Sequence, residues 1–173
     1  MADPPAPFGA VAALAATHDL SSFQSGEADL DDWLRRRALA NRASGASSTY
    51  VVCASATPRL VGFYALSMGQ IVNRDVVGTM RRNMPQQIPA VVLGRLAVDL
   101  SCQGYGLGAA LLRDAVLRAA RAAGEVAARV VLVHAISPAA EAFYRHHGFV
   151  RLPVATPTLA LDLAAWARAA GDG

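Results

Sequence analysis

The sequence has no lysine, and all 16 of its basic side chains are arginines. A Walker-type phosphate loop requires a Gly-Lys-Ser/Thr segment, so this class of nucleotide site is excluded. Cysteine is scarce as well: Cys53 and Cys102 are the only two, and neither stands in metal-ligand spacing. This scarcity predicts reduced thiols rather than a disulfide, and no metal site.

Long apolar segments are also absent. The runs near Val91–Leu93 and Val130–Val133 are far too short to cross a bilayer. Asp3 and three early prolines stand where a secretory signal would carry its basic and apolar regions. We therefore expect a cytoplasmic protein with no membrane partner. Hydrophobic residues make up 54% of the 173 residues, which predicts a packed globular domain.

The periodicity of apolar residues predicts an alternation of strands and helices. Helices are predicted at Asp29–Ala43, Val76–Asn83, Leu107–Ala123 (with Gly124 as its stop), Ala139–His147 and Ala164–Ala170. Strands are predicted at Thr49–Ala54, Leu60–Ile71, Val91–Asp99, Arg129–Ala135, Phe149–Leu152 and Thr158–Leu163. Because strands and helices alternate in the second half, a mixed α/β layer is the natural fold. Met1–Pro7 is predicted to be a flexible arm, followed by one domain over residues 8–170.

The clearest chemical motif is the glycine-rich run Gln103–Gly108, between a predicted strand and a predicted helix. Glycines let the backbone turn tightly and approach a ligand. The following helix aims unpaired N–H groups at that ligand, so a phosphate or pyrophosphate is expected. A Rossmann site is disfavoured, because the third glycine of its pattern is missing and no predicted strand opens the chain. A tight turn without a ligand is the other interpretation, since such motifs alone are weak signals.

A second pattern follows, made of Ala140, Phe143-Tyr144 and Gly148-Phe149. With the Gln-x-x-Gly-x-Gly run after the strand Leu96–Asp99, it resembles the acyl-CoA motifs of the GNAT superfamily of N-acetyltransferases. The resemblance covers nearly the whole chain. It implies an α/β (α+β) single-domain fold in which a mixed, mostly antiparallel sheet with splayed central strands is flanked by helices.

The resemblance also implies acetyl-CoA as co-substrate. It assigns the pantetheine arm and the pyrophosphate to Leu96, Ala97, Val98, Gln103, Gly104, Tyr105, Gly106, Leu107, Gly108 and Ala109. For Leu96 and Val98, core packing by the side chains is the other interpretation, and only their main chains need to touch the co-substrate.

Tyr144 is the predicted general acid, because a phenol can protonate or hydrogen-bond the departing thiolate. The other interpretation of Tyr144 is a helix residue packed on Phe149. The general base is left unassigned: Asp99 lies near the strand end and His134 on the adjacent strand, and both residue types are more often structural at such positions. Ser137 is expected to cap the next helix, where many relatives carry an asparagine that contacts the co-substrate.

Further residues resemble the toxin branch of the GNATs, namely Phe23, Leu30, Trp33-Leu34, Gly45–Tyr50, Pro89 and Leu93–Asp99. This branch implies an aminoacyl-tRNA acceptor, a ribbon-helix-helix antitoxin and a homodimer. Two other functions stay open: acetylation of protein N-termini or small amines, and an inactive acyl-CoA-binding module.

Arginine placement bears on the acceptor, because the net charge of +3 is modest. Arginines that suit a phosphate backbone stand at Arg35, Arg36, Arg37, Arg42, Arg74, Arg81, Arg82 and Arg95. For the three successive ones, a solvated helix face is the other interpretation. Three consecutive residues cannot share one helix face, so one or two of them must point elsewhere.

Overall fold

A computed structural model describes residues 8–171, so the predicted arm Met1–Pro7 lies outside the described residues. The chain forms two compact units. The first unit comprises the described residues up to Ser67 together with Arg95–Ala115, and the second comprises Met68–Gly94 with the described residues from Val116 onward. The strands form a seven-stranded sheet in the order β1-β2-β3-β4-β5-β7-β6.

The first unit contains an antiparallel run of strands and a helical segment. Its elements are β1 (Ala12–Ala13), α1 (Ala28–Trp33), a π-helical segment (Leu34–Ala38), α2 (Leu39–Ser44), β2 (Ser48–Cys53) and the first part of β3 (Leu60–Val72). β1 pairs with β2, and β2 with β3, both antiparallel. The helical segment ends at Gly45, whose φ of 79° is the left-handed conformation typical of a helix C-terminus.

The first unit also holds the end of β4 (Gln87–Val98), a 3-10 turn (Leu100–Cys102) and the start of α3 (Leu107–Glu125). The core is aromatic: Phe23 meets Phe63 edge-on, with ring centroids 5.6 Å apart. α3 approaches β3 closely because Gly62 has no side chain. A Cβ atom built at Gly62 would lie only 2.9 Å from Cδ1 of Leu111. Tyr64 on β3 also donates a hydrogen bond to Asp114 on α3. These contacts fix the start of α3 on the sheet.

The second unit contains the remaining parts of β3, β4 and α3 and the C-terminal elements. These are β5 (Val130–His134), α4 (Pro138–His146), β6 (Val150–Arg151), β7 (Thr158–Asp162) and α5 (Leu163–Gly171). β4 pairs parallel with β5, while β7 pairs antiparallel with both β5 and β6. Ile88, Val130, Leu132 and Ala160 pack in its core. The predicted α/β class with a mixed sheet flanked by helices is confirmed.

Most predicted elements are confirmed with ends shifted by a few residues, and three details are wrong. The helix predicted at Val76–Asn83 is instead two 3-10 turns, Asn73–Asp75 and Gly78–Met80. The predicted stop Gly124 lies inside α3, which runs on to Glu125. β1 was not predicted, because two alanines carry no strand signal of their own and depend on pairing with β2. No helix among residues 8–171 is long and apolar enough to span a membrane.

Candidate functional site

The glycine-rich turn lies in the first unit, immediately before α3. Gly104 and Gly106 have φ angles of 84° and 81°, which side-chain-bearing residues rarely adopt. Gln103, Gly104, Tyr105 and Gly106 are exposed. A Cβ atom built at either glycine would meet nothing within 4 Å. The turn therefore leaves open space directly above its backbone.

The start of α3 directs backbone donors into that space. The amide of Ala110 donates to the carbonyl of Gly106 at 3.1 Å, which closes the first turn of the helix. The preceding amides, those of Leu107, Gly108 and Ala109, point out of the helix end without intrahelical acceptors. α3 is 19 residues long, so its dipole adds positive potential at this end. Open space and convergent N–H groups fit a diphosphate.

The side chain of Gln103 is engaged by the protein. Its Nε2 atom donates to the carbonyl of Val98 at 3.0 Å and to the carbonyl of Ser25 at 3.0 Å. Both N–H groups of the side-chain amide are used in this way. The remaining Oε1 atom can only accept hydrogen bonds, so it does not bind an anion. The side chain of Gln103 therefore joins the strand end, the loop at Ser25 and the glycine turn, while its backbone remains part of the turn.

Asp31 holds the loop that receives Gln103. Its carboxylate is buried and accepts hydrogen bonds from the amide and hydroxyl of Ser25, the latter at 2.6 Å. Arg35 donates to the carbonyl of Phe23 in the same loop at 2.8 Å. Sequence reasoning missed this role of Asp31, because its partner Ser25 is brought to it only by the folding of the loop. The arrangement links the basic helical segment to the glycine turn.

Asp99 also holds the loop that contains Gln24 and Ser25. Its carboxylate accepts from the amide of Gln24 at 3.0 Å, from Ser101 Oγ at 2.6 Å, and faces Arg59 at 3.5 Å. Burial raises the pKa of Asp99, but the hydrogen bonds from Ser101 and Gln24 and the charge of Arg59 outweigh burial, so its pKa is lowered. A fully hydrogen-bonded carboxylate of low pKa is a structural group and a poor base.

Exchanging Gln103 for glutamate tests this role, because glutamate keeps the shape of glutamine but cannot donate. We expect Gln103→Glu to weaken acetyl-CoA binding by up to about thirtyfold, as two hydrogen bonds of about 1 kcal/mol each are lost. Gln103→Arg restores the donors and should recover most of the affinity. Calorimetric titration measures both variants, and their melting temperatures control for folding. Wild-type affinity in Gln103→Glu would contradict the assignment.

The end of β4 supplies the other predicted contacts. Pairing of β4 with β5 runs from Ala90–Val130 to Leu93–Val133, although β4 itself continues to Val98. Ala97 is buried in the core of the first unit, while Leu96 and Val98 are half-buried. The structure thus brings this strand end and the glycine turn together in the first unit through Gln103.

Tyr144 lies in the second unit, on α4. It is 7% exposed and its ring packs against Phe149 and Phe143, with centroids 5.6 and 5.2 Å away. Among the residues that the structure describes, none forms a hydrogen bond with its hydroxyl. Burial raises the pKa of Tyr144 to about 12. The phenol therefore stays protonated at neutral pH and has a donor to offer.

Ser137 caps α4 as predicted. Its side chain accepts a hydrogen bond from the amide of Ala140 at 3.1 Å, and Pro138 follows as the first helical residue. His134, the other titratable group considered for catalysis, pairs through Nδ1 with the hydroxyl of Thr158 at 2.9 Å.

The arginines fall into both units. In the first, Arg95 lies over the ring of Trp33, 4.0 Å from its centroid, and Arg35 is bound to the Phe23 carbonyl. Arg36, Arg37 and Arg42 are exposed on the helical segment. Of the three successive arginines, only Arg35 has a hydrogen bond to the loop at Phe23. Arg74, Arg81 and Arg82 belong to the second unit.

Residues 47–151 match the model of the acetyltransferase (GNAT) domain. Over 131 residues the chain is 50% identical to the tRNA-acetylating toxin of Mycobacterium tuberculosis (strain ATCC 25618 / H37Rv). That match covers 76% of this chain and 78% of the toxin.

Two solved structures share the fold. AtaT complexed with acetyl-methionyl-tRNAfMet has a TM-score of 0.88 at 25% identity, over 94% of this chain and 99% of that chain. A tyrosine-to-phenylalanine mutant of AtaT, bound to the C-terminus of the antitoxin AtaR and acetyl-CoA, has a TM-score of 0.78 at 27% identity. This second match covers 90% of this chain and 94% of that chain.

Proposed function

Because this chain belongs to the GNAT family of acetyltransferases, we propose that it transfers acetyl from acetyl-CoA to the amino group of an aminoacyl-tRNA and thereby blocks translation. The observation that carries the proposal is the 50% identity to a tRNA-acetylating toxin over 78% of its length. The acetyltransferase domain is proposed to span residues 8–170.

The proposed acetyl-CoA contacts follow from the geometry of the first unit. The amides at the start of α3 and the open backbone of Gly104 and Gly106 bind the diphosphate. The main chain of Leu96, Ala97 and Val98 binds the pantetheine arm. Gln103 fixes the glycine turn next to the end of β4 through its hydrogen bond to the carbonyl of Val98.

Acetyl-CoA supplies a thioester carbonyl; the acceptor nitrogen bonds to it and the carbon–sulfur bond breaks. Tyr144 stabilises the negative charge that develops on the departing sulfur by donating a hydrogen bond. With a pKa of about 12, the phenol is a weaker acid than a thiol, whose pKa is about 8.5. This difference favours hydrogen-bond donation over complete proton transfer.

The acceptor side is proposed to use arginines. RNA carries one negative charge for each phosphate, and exposed arginines bind phosphates in a bidentate manner. Arg36, Arg37 and Arg42 present such groups in the first unit. An α-amino group of an aminoacyl ester is less basic than an alkyl amine, so water is a sufficient proton acceptor and no dedicated base is required.

The biological setting is proposed as that of a toxin–antitoxin pair acting in the cytoplasm. The related AtaT binds the C-terminus of an antitoxin. For this chain we infer an antitoxin of the ribbon-helix-helix class and a homodimeric enzyme, following the branch of the family that its motifs resemble.

Transfer of radiolabel from acetyl-CoA tests the function. Charged tRNA, deacylated tRNA and a peptide with a free N-terminus are offered in parallel. We expect label in charged tRNA alone, since only it carries the reactive amine on an RNA scaffold. Label in the peptide but not in charged tRNA would overturn the proposal in favour of protein N-termini. Binding of acetyl-CoA without transfer to any acceptor would indicate an inactive acyl-CoA-binding module.

A further inference from the structure

The loop between β3 and β4 forms an arginine-lined basin in the second unit. Its volume is about 410 Å³, and it is lined by Val72, Asn73, Arg74, Arg81, Met84 and Gln86. This volume falls in the range of ligand-binding pockets. Two of the six lining residues are cationic and none is acidic, so the basin favours an anion.

Asn73 holds the loop in shape. Its amide donates to the carbonyl of Gln86 at 2.8 Å, which closes the loop where the strands begin to separate. Its side-chain nitrogen lies 3.1 to 3.2 Å from the carbonyls of Arg81, Met84 and Pro85. One side chain thus gathers three carbonyls, and the basin wall is built before any ligand arrives.

A second set of contacts fastens the same loop to the sheet. Thr79 donates to Asp162 at 2.9 Å, and Arg129 donates to the carbonyl of Thr79 at 3.0 Å. Arg129 and Asp162 form an ion pair at 3.1 Å, so the charge of Arg129 is compensated. Val76 and Met80 are buried in the core of the second unit. Arg129 therefore offers no free charge to a ligand, and the arginines that line the basin are Arg74 and Arg81.

The two lining arginines keep their charge available. Arg81 uses Nε to donate to Asn73 Oδ1 at 3.3 Å, which orients the guanidinium. Within residues 8–171, no hydrogen bond or ion pair holds its two terminal nitrogens. Arg74 has an 82% exposed side chain and meets Asp75 only at 3.9 Å. Exposed pairs at this distance contribute little energy, so Arg74 is free to bind another anion.

We propose that the basin binds one backbone phosphate of RNA, held jointly by Arg74 and Arg81. This inference rests on the proposed function, which brings aminoacyl-tRNA to the protein. Guanidinium groups match phosphate oxygens in pairs. Val72, Met84 and Gln86 line the rest of the basin and carry no charge that would oppose the phosphate.

The experiment measures binding of deacylated tRNA at several salt concentrations, because binding is then separated from acetyl transfer. The double variant Arg74→Gln/Arg81→Gln is compared with Arg121→Gln/Arg168→Gln, which removes two exposed arginines from α3 and α5. In the first variant we expect the slope of log K against log salt to become less steep by roughly one, for one lost phosphate contact. In the control, the slope should keep the wild-type value.

Single variants sharpen the test. Because one phosphate is shared, the losses of affinity in Arg74→Gln and Arg81→Gln should sum to more than the loss in the double variant. Acetyl-CoA affinity verifies that every variant is folded. A wild-type slope in the double variant would overturn the basin site and leave the proposed function intact. If charged tRNA accepts no acetyl group while the arginine pair still sets the slope, the proposed function fails and the basin site stands.

Discussion

Replacing Tyr144 with phenylalanine is expected to reduce kcat by about 10²- to 10⁴-fold while leaving acetyl-CoA affinity unchanged. The variant removes one hydroxyl, which is the donor proposed for the departing sulfur. The ring contacts with Phe149 and Phe143 are retained. Steady-state kinetics with charged tRNA and calorimetry with acetyl-CoA measure the two quantities.

Stability distinguishes this catalytic role from a packing role. The side chain of Tyr144 is 7% exposed, and no residue of the described chain forms a hydrogen bond with its hydroxyl, so removing the hydroxyl breaks no hydrogen bond within that part of the protein. Tyr144→Phe should therefore be at least as resistant to denaturant as the wild type. Unchanged kcat in the variant, or a marked loss of its stability, would contradict the assignment.

The pH profile gives a third readout of the same group. A pKa of about 12 keeps the donor form present throughout the range from pH 6 to about 10, and the donor is lost only as the pH rises through 12. The wild-type kcat profile should therefore show no fall from Tyr144 below about pH 10. A loss of activity near pH 8 that is absent in Tyr144→Phe would mean that the phenol ionises much earlier.

Replacing Gly106 with valine is expected to weaken acetyl-CoA binding by about tenfold to a hundredfold. At a φ of 81° a β-branched residue is strained by roughly 1–2 kcal/mol, so the turn changes conformation and its amides are redirected. Each hydrogen bond lost to a charged phosphate costs about 1.5–3 kcal/mol. Calorimetric titration with acetyl-CoA measures the loss.

Gly45→Val is the matched control for this strain. Gly45 has a φ of 79° and, like Gly106, has nothing within 4 Å of an added Cβ atom. It ends α2, whereas Gly106 precedes α3. Both variants should lose similar stability in denaturant titrations, but only Gly106→Val should lose affinity. Equal affinities in the two variants would show that the turn does not bind the co-substrate.

Local sequence was sufficient where an element is specified by its own residues. The α4 helix was predicted almost to the residue, because Ser137 and Pro138 mark its start by local hydrogen bonding and by a fixed φ. β5 was found from its run of valines and leucine, which suits a strand covered on both faces. The glycine turn was likewise placed from its residues alone.

Long-range contacts explain what the sequence did not reveal. Gln103 donates to a carbonyl 78 residues away in sequence, so a motif scan places its backbone but not its side chain. The basin loop was predicted as a helix at Val76–Asn83. Instead, Asn73, which precedes that segment, donates to the carbonyl of Met84, which follows it, and Thr79 inside the segment donates to Asp162 on β7. Gly124 stays within α3 because its φ is not positive and one glycine costs a helix only about 1 kcal/mol.

The acceptor atom is identified most directly by mass spectrometry of the charged 3′ end. Charged tRNA is incubated with the enzyme and acetyl-CoA, then digested to release aminoacyl-adenosine. We predict an aminoacyl-adenosine heavier by one acetyl group, with fragmentation that places the acetyl on the α-amino nitrogen. Unmodified aminoacyl-adenosine, from an enzyme that consumes acetyl-CoA with another acceptor, would contradict acetylation of charged tRNA.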